Sequence, residues 1–324
     1  MDTLEAGFLQ SQLEERKRRL EAALASTPQN SDLAGLLREV DSALDRMAEG
    51  TYGICLECHD TVERERLLAD PLVQYCLDHL SHSERVALQR DLDLAAQVQR
   101  RLLPQNGLRV GDWDTSYHFA PLGAVSGDYC DLIPTEGQLL FLLGDVSGKG
   151  VAASMIMAQL HALFRSLTAM SMPLGQIVNR VNRVLCESAL AGQYATLVCG
   201  LAKASGEVEI HNAGHCPAIV VGRGGASRID STGMPLGMFL ETETSATCVQ
   251  LECGDTLFLY TDGLSEARDE CDEYGVDRVM TLVSQQAARQ PAELIAACID
   301  DLRAFVNGGE SFDDTTVLAI RRSN

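Results

Sequence analysis

"LLFLLGDVSGKGVAASM", residues 139–155, runs from an apolar segment through a turn of small residues into a helical pattern. A turn of this kind can hold a nucleotide phosphate, but that loop requires G-x-x-x-x-G-K-[ST], whose last hydroxyl binds Mg²⁺. If Gly148 and Lys149 are the Gly-Lys pair, Leu143 replaces the first glycine and Gly150 replaces the hydroxyl residue. The spacing therefore excludes a nucleotide loop, and the aspartate inside the turn needs another explanation.

Four aspartates share this setting, because each lies at one end of an apolar run or beside a glycine: Asp128, Asp145, Asp262 and Asp313. A single loop aspartate usually forms a turn or caps a helix. Four of them, three with an adjacent glycine, favour a site for hard divalent cations such as Mg²⁺ or Mn²⁺. Two such ions about 3.5–4 Å apart can share a water and prepare it to attack a phosphoryl group. We expect the glycines to let the backbone bend so that a carbonyl can join the ligands.

Composition limits the possible classes. The chain has 324 residues, is 46% hydrophobic and carries a net charge of −20. So acidic a protein is a poor general nucleic-acid binder, because phosphate backbones repel it. The sequence contains no apolar run of roughly 18 residues, so no membrane span is expected. Eleven cysteines without a secretion signal predict reduced thiols and a cytoplasmic protein.

The N-terminal part is predicted to be helical. Residues 1–25 form one helix, and residues 33–47 place apolar side chains at steps of three and four. This pattern is typical either of a helical hairpin within one chain or of a dimer contact. Residues 83–103 form a third helix that ends before Pro104 and acts either as a transmitter of movement or as a spacer.

A second set of ligands lies between these helices. Cys55-x-x-Cys58 is followed, after 17 residues, by Cys76-x-x-His79. Three thiolates and an imidazole complete a tetrahedral Zn²⁺ shell, which leaves no open position for substrate and predicts a structural zinc. His82 is an alternative fourth ligand.

The segment from about Ala43 to His82, with "GTYGICLEC", resembles the DksA/TraR-type zinc finger. It departs from that family at His79, where a fourth cysteine is usual. Family members with a long coiled-coil arm act on RNA polymerase. The helices here are short and lack an acidic tip, so that activity is not carried over.

From about residue 108 the pattern changes to short strands, glycine turns and separate helices. The predicted strands are "QLLFLLGD", "ATLVCGLAK", "EVEIHN", "PAIVVG" and "TLFLYTD", and the predicted helices are 151–170, 174–190, 276–288 and 291–306. Strands joined by hairpins, with helices elsewhere, predict an α+β fold with antiparallel sheets.

Residues 94–321 resemble the metal-dependent Ser/Thr protein phosphatases of the PP2C-like SpoIIE/RsbU branch. The motifs follow the family's order: "AAQVQRRLLP", "SGDYCDLI", "GDVSGKGVAASMIMAQL", "YATLVCGL", "NAGHCPAIV", "GMPLG", "YTDGLSEAR", "YGVDRV" and "DDTTVLAI". The resemblance implies a β-sandwich of antiparallel sheets flanked by helices, with two catalytic Mn²⁺ or Mg²⁺ ions.

The same resemblance implies the ligand roles. Asp145 would bridge both ions, and the carbonyl of Val146 would contact one of them. Asp262 and Asp313 would hold the other ion, and Asp128 would bind directly or through water.

Other residues in these motifs are weaker candidates. Asp314 is less favoured than Asp313, and Asp131 is a possible supporting carboxylate. His215 is favoured as a hydrogen-bonded turn residue over a general acid. Lys149 is either a contact for the substrate phosphate or a solvated loop residue.

The leading hypothesis is a cytoplasmic phosphatase acting on phosphoserine or phosphothreonine of a regulatory protein of the anti-sigma-factor-antagonist type. We expect a homodimer, no membrane and no nucleic acid, and regulation through the N-terminal segment. The predicted parts are a helical hairpin (1–48), a zinc finger (49–82), a linker helix (83–104) and a phosphatase domain (105–324). One alternative is a non-catalytic module that recruits RNA polymerase or another partner through the finger. Another is a phosphatase for small molecules or nucleotides.

Overall fold

A computed structural model describes residues 3–26, 31–80, 82–170, 172–188, 192–240, 244–269, 272–306 and 313–323. The helices are α1 (Thr3–Ser26), α2 (Ser31–Ala48), α3 (Arg64–Ala69), α4 (His82–Leu102), α5 (Gly150–Thr168), α6 (Leu174–Ser188), α7 (Asp262–Ser265), α8 (Val276–Gln285) and α9 (Pro291–Val306). The strands are β1 (Arg109–Val110), β2 (Trp113–Ala120), β3 (Tyr129–Thr135), β4 (Gln138–Val146), β5 (Ala195–Ala202), β6 (Glu207–Ala213), β7 (Ala218–Gly222), β8 (Gly225–Ile229), β9 (Thr247–Gln250), β10 (Thr256–Tyr260) and β11 (Thr315–Arg322).

The chain divides into two compact units, residues 1–91 and 92–324. None of the helices in the described ranges is both long enough and apolar enough to cross a bilayer.

The first unit contains the predicted helical hairpin. Leu13 of α1 packs with Val40 and Ala43 of α2 in one small core. The apolar repeat of α2 therefore packs within its own chain. Leu9 packs in a second small core with Cys55, Cys76 and neighbouring apolar residues.

The second unit is a β-sandwich flanked by helices, which confirms the predicted fold class. One sheet has the strand order β1-β2-β11-β10-β7-β8, the other has the order β3-β4-β5-β6-β9, and every pair of neighbouring strands is antiparallel. A central core lies between the sheets. The outer face of the second sheet packs against α5 and α6, and the outer face of the first sheet packs against α8 and α9.

The apolar run of β4 follows from this layering. Phe141 and Leu143 enter the core between the sheets, whereas Leu140 and Leu142 pack beneath α5 and α6. Successive side chains of a strand point to opposite faces, so a strand covered on both faces is apolar throughout.

The sequence patterns predicted β4, β5, β6, β7 and β10 and missed the other strands, among them β2 and β3. The β2 sequence is WDTSYHFA, in which polar residues interrupt the apolar ones, and β3 contains Pro134. Both strands pair along their full length with well-formed neighbours, β2 with β11 and β3 with β4. Tertiary pairing therefore decides their conformation, since β-propensity depends strongly on context.

Candidate metal centre

The registers of the two sheets bring several strand ends to one place. Thr315, at the start of β11, pairs with Ala120 at the end of β2. Tyr129, at the start of β3, pairs with Gly144 near the end of β4. The hydroxyls of Thr261 and Thr316 donate hydrogen bonds to Asp128 and so join the two sheets here. These strand ends therefore meet at the same end of the sandwich.

Asp145 is the second-last residue of β4, and the turn that follows it is held firmly. Ser147 donates its N–H to the carbonyl of Tyr194 at 2.9 Å, and the Ser147 Oγ accepts the N–H of Tyr194 at 2.9 Å. Gly148 and Gly150 have φ angles of 92° and 73°, which L-residues rarely adopt. These contacts fix the backbone that follows the aspartate and leads into α5.

The carboxylates surround Asp145. Burial raises the pKa of Asp145 to about 7, assisted by the negative charges of Asp262, Asp313 and Asp314. Burial and then the charge of Asp313 also raise the pKa of Asp262. Like charges gathered in a partly buried place favour a bound cation.

Asp262 and Asp313 come from different segments. Asp262 begins the short helix α7 directly after β10, and Asp313 precedes β11. The Nζ of Lys149 lies 2.9 Å from the Oδ2 of Asp313, and both side chains are about half exposed. Lys149 is therefore paired with one of the predicted ligands.

Asp128 lies deeper than the others and is almost completely buried. Its Oδ2 accepts hydrogen bonds from the hydroxyls of Thr261, at 3.0 Å, and Thr316. Burial is the main cause of a pKa well above the usual range, and the charges of Asp145 and Asp314 add to it. One oxygen of Asp128 is thus occupied by the two threonines.

These threonines were not among the residues predicted from the sequence. Thr261 precedes Asp262 in "YTDG", and Thr316 lies in "DDTT", so both are contained in motifs that were quoted for their aspartates. Thr261 also receives a bond from the backbone N–H of Thr316 at 2.9 Å, which links β10 and β11 beneath the carboxylates.

Asp314 has a different role from Asp313. Its carboxylate accepts the backbone N–H groups of Leu122, at 2.6 Å, and Gly127, at 3.0 Å. It is buried and holds the loop before β3 against the start of β11. Adjacent side chains on an extended backbone point in opposite directions, which explains the division of roles.

The glycines serve close packing, which corrects the expectation that they permit bending. Gly127, Gly144 and Gly263 have no left-handed φ angle. A Cβ on Gly127 would lie 3.0 Å from the carbonyl oxygen of Val146 and 3.3 Å from the Asp145 Oδ1. A Cβ on Gly263 would lie 1.9 Å from a backbone oxygen. Glycine is needed here because backbones approach each other closely.

Asp131 does not support the metal centre, contrary to the sequence-based suggestion. Its side chain is completely buried and forms two bonds with Arg165 of α5, at 2.9 and 2.7 Å. It also accepts the N–H of Leu132 at 2.8 Å. Successive side chains of an extended chain point to opposite faces. Asp131 comes three residues after Asp128, which directly precedes β3, so the two side chains lie on opposite faces.

His215 is a buried turn residue. Its Nδ1 lies 2.8 Å from the Thr196 hydroxyl, and its backbone N–H donates to the side chain of Asn212 at 2.8 Å. Burial lowers its pKa to about 4, so the ring is neutral at pH 7.

The four predicted zinc ligands converge in the first unit. The ligand atoms of Cys55, Cys58, Cys76 and His79 all lie within 4.8 Å of one another. The Cys58 and Cys76 sulfurs are 3.7 Å apart, and the Nδ1 of His79 is 3.3 Å from the Cys76 sulfur. Three thiolates and an imidazole are suitable for tetrahedral Zn²⁺. The alternative ligand, the side chain of His82, lies outside the described residues.

The backbone joins the two halves of this cluster. Leu56 donates its N–H to the carbonyl of Gln74 at 3.1 Å, and the carboxylate of Glu63 accepts the N–H of Leu77 at 3.0 Å. Each bond fixes a residue next to a predicted ligand.

Within the described part of the chain, this cluster is the only group of three or more potential ligands gathered so tightly. The aspartates are spread more widely. A centre for two ions, about 3.5–4 Å apart, distributes its ligands in this way. Oxygen donors and excess negative charge fit Mg²⁺ or Mn²⁺.

Comparison with known families decides the identity of the sandwich. A family model described as Stage II sporulation protein E (SpoIIE) matches residues 135–323, more than half of the chain. The chain belongs to the SpoIIE family. The predicted SpoIIE-type PP2C phosphatase domain is thereby confirmed. A second model, the prokaryotic dksA/traR C4-type zinc finger, matches residues 50–78 and confirms the other resemblance, ending one residue before His79.

Individual relatives agree with the SpoIIE assignment. Phosphoserine phosphatase RsbU of Bacillus subtilis is 23% identical over 266 residues, which cover 79% of this chain and 78% of RsbU. Protein IcfG of Synechocystis is 27% identical over 265 residues, which cover 72% of this chain and 42% of IcfG. The structure of the SiaA-PP2C domain of Pseudomonas aeruginosa has a TM-score of 0.67 at 18% identity, covering 75% of this chain and 99% of that domain. At this identity the SiaA structure shows the shared fold.

Proposed function

We propose that this SpoIIE-family chain is a metal-dependent protein phosphatase that hydrolyses phosphoserine or phosphothreonine on a regulatory protein. The observation that carries the proposal is the meeting of carboxylates from four separate segments at one end of the sandwich, around Asp145. The name of RsbU, a phosphoserine phosphatase, supports the reaction class.

The proposed ligands are those expected from the sequence. Asp145 would help to hold both Mn²⁺ or Mg²⁺ ions, the Val146 carbonyl would contribute to one of them, and Asp262 and Asp313 would contribute to the other, with Asp128 acting directly or through water. When bound, the ions would neutralise the phosphoryl oxygens and lower the pKa of the attacking water.

The surrounding residues orient these ligands. Thr261 and Thr316 fix one oxygen of Asp128, so its other oxygen is the one available toward the centre. Asp314 holds the backbone of Gly127, which lies against Asp145. Such fixed neighbours keep ligands in place without a cost of reorganisation during the reaction.

Lys149 supplies a positive charge at the edge of this site. A cation held by Asp313 would weaken the pairing of that carboxylate with Lys149, and the ammonium group would then be available to the substrate phosphate. A lysine provides such a contact as a point charge.

The N-terminal unit has a separate proposed role. Cys55, Cys58, Cys76 and His79 bind a structural Zn²⁺ ion, and residues 1–103 regulate the phosphatase and form a homodimer. We propose a substrate of the anti-sigma-factor-antagonist type. The division into residues 1–48, 49–82, 83–104 and 105–324 is part of this proposal.

The test compares Asp145→Asn with the wild-type chain and with Asp230→Asn, a control at an exposed aspartate outside the site. Phosphate release from a phosphoserine peptide is measured with Mn²⁺, with Mg²⁺ and after chelation. We expect Asp145→Asn to lose activity by about a hundredfold or more, since removal of transition-state charge stabilisation has effects of this size. Full activity of Asp145→Asn would refute the ligand assignment. A wild-type chain that captures RNA polymerase without any hydrolysis would favour the binding-module alternative.

A further inference from the structure

Exposed apolar side chains are concentrated in two segments of the phosphatase domain. Between residues 92 and 324, the described chain exposes ten large apolar side chains. Six of them form what we call the apolar rim: Val151, Met155, Met234, Met238, Phe239 and Leu240. Exposed apolar residues scattered singly are normal, whereas a concentrated group marks an interaction site.

The loop that carries four of these residues has a fixed backbone. Leu236 is buried and exchanges two backbone bonds with Ala195, at 2.9 and 2.8 Å. The buried side chain of Asn182 accepts the N–H of Gly237 at 2.9 Å and donates to the carbonyl of Phe239 at 2.8 Å. The loop is therefore anchored by Leu236 and Asn182, and folding does not require its exposed side chains to be apolar.

The same loop lies close to the carboxylates. Val146 pairs with Ala195, and Ala195 bridges to Leu236. Neighbouring strands are about 4.8 Å apart, so the backbone of Leu236 lies about 10 Å from the backbone beside Asp145. The other rim segment belongs to the first turns of α5, directly after the turn that contains Asp145.

Charge indicates what kind of contact can operate here. The chain carries a net charge of −20, and a phosphorylated substrate is itself an anion, so the overall field of the protein does not attract it. Apolar contacts are insensitive to this repulsion. Three of the six rim residues are methionines, whose flexible, polarisable side chains adapt to different apolar partners.

We propose that the apolar rim binds apolar side chains of the phosphoprotein substrate close in sequence to the phosphorylated residue. An extended chain advances about 3.3 Å per residue, so the separation of about 10 Å between the backbones of Val146 and Leu236 equals a span of about three substrate residues. This inference rests on the proposed phosphatase function and adds the chemical class that the substrate must present.

The test uses two phosphoserine peptides of equal length and charge, one with leucine and one with serine at the third residue on each side. With Mn²⁺, we expect the wild-type kcat/KM to be about tenfold higher for the leucine peptide, since burying part of a leucine has an effect of this order. Met238→Ser/Phe239→Ser reduces that preference to less than twofold. Met170→Ser, an exposed methionine outside the rim, keeps it.

The fluorescence of Trp113, the only tryptophan of the chain, checks that each variant is folded. If the double variant is unfolded, Met155→Ser and Leu240→Ser are compared singly, and a full preference in both overturns the proposal. A wild-type chain without preference, or a folded double variant that keeps it, also overturns the proposal.

Binding of labelled peptides, measured by anisotropy without metal, separates this inference from the catalytic one. If the chain binds the leucine peptide more tightly but hydrolyses neither peptide, the rim is supported and the phosphatase function is rejected. If the chain hydrolyses both peptides and prefers neither, the phosphatase function is supported and the rim is rejected. Sedimentation tests a second copy of the chain as the occupant of the rim. If the wild-type chain is a dimer, Met238→Ser/Phe239→Ser is a monomer and neither peptide is preferred, the rim contacts a second copy and the proposal is wrong.

Discussion

The ion pair between the buried Asp131 and the half-exposed Arg165 provides the sharpest test of the fold. Asp131 has no exposed surface, whereas the Arg165 side chain is 44% exposed. Replacing Arg165 by methionine keeps the apolar stem of the side chain and removes the charge. Asp131 would then stay buried with its bonds from Leu132 and from the Tyr129 hydroxyl. It would have lost its permanent cation, and only the imidazole of His161, 3.4 Å away, could replace that charge by taking up a proton.

Removing one partner of a buried ion pair costs about 3–5 kcal/mol. We take the lower value, about 3 kcal/mol, because Leu132 continues to donate a hydrogen bond to Asp131. For a domain of this size, each kcal/mol shifts Tm by about 2–4 °C, so Arg165→Met should lower Tm by about 6–12 °C. Trp113 is buried in the phosphatase domain, so its fluorescence reports the unfolding of that domain.

The reverse change should be milder. Asp131→Asn leaves the half-exposed Arg165 able to regain water, and we expect a loss of about 1–2 kcal/mol. The variant with both Asp131→Asn and Arg165→Met should be more stable than Arg165→Met alone, because the uncompensated charge of Asp131 is gone. An Arg165→Met protein within about 0.5 kcal/mol of wild type, the usual range for surface changes, would refute this reasoning. So would a double variant no more stable than Arg165→Met.

Three further changes test separate parts of the structure. Gly263→Ala forces a Cβ to within 1.9 Å of a backbone oxygen and should lower the free energy of unfolding, measured by Trp113 fluorescence, by about 1–3 kcal/mol. Gly224→Ala, whose Cβ would meet nothing within 4 Å, is the control, and equal stability of the two variants would contradict the packing argument. His79→Ala should lower the zinc content of the purified chain, measured by mass spectrometry of the metal, and His79→Cys should restore it. An unchanged zinc content in His79→Ala would exclude this histidine as a ligand. Lys149→Gln removes the ion pair with Asp313. Because an exposed ion pair contributes about 0–1 kcal/mol, this change should tighten Mn²⁺ binding, measured by calorimetry, by up to about fivefold. Weaker binding would show that Lys149 does not compete with the ion.

Much of the fold could be predicted from local patterns. The apolar run of β4, the helical period of α6 and the proline and glycine breaks all reflect interactions within a few residues. The zinc cluster was also predictable, because its four ligands come in two short motifs with a defined spacer. The strand β2 was not, because its polar residues are accommodated only by pairing with β11, almost 200 residues further along the chain.

The residue types that could form the metal centre were readable from the sequence, because a carboxylate is a hard oxygen donor in any surroundings. The separate roles of the acidic residues became visible only in the folded chain. Asp313 lies beside Lys149, Asp314 holds a loop backbone, and Asp131 pairs with Arg165. The reason is physical: the role of a carboxylate depends on the charges and donors that approach it, and those come from segments distant in the chain.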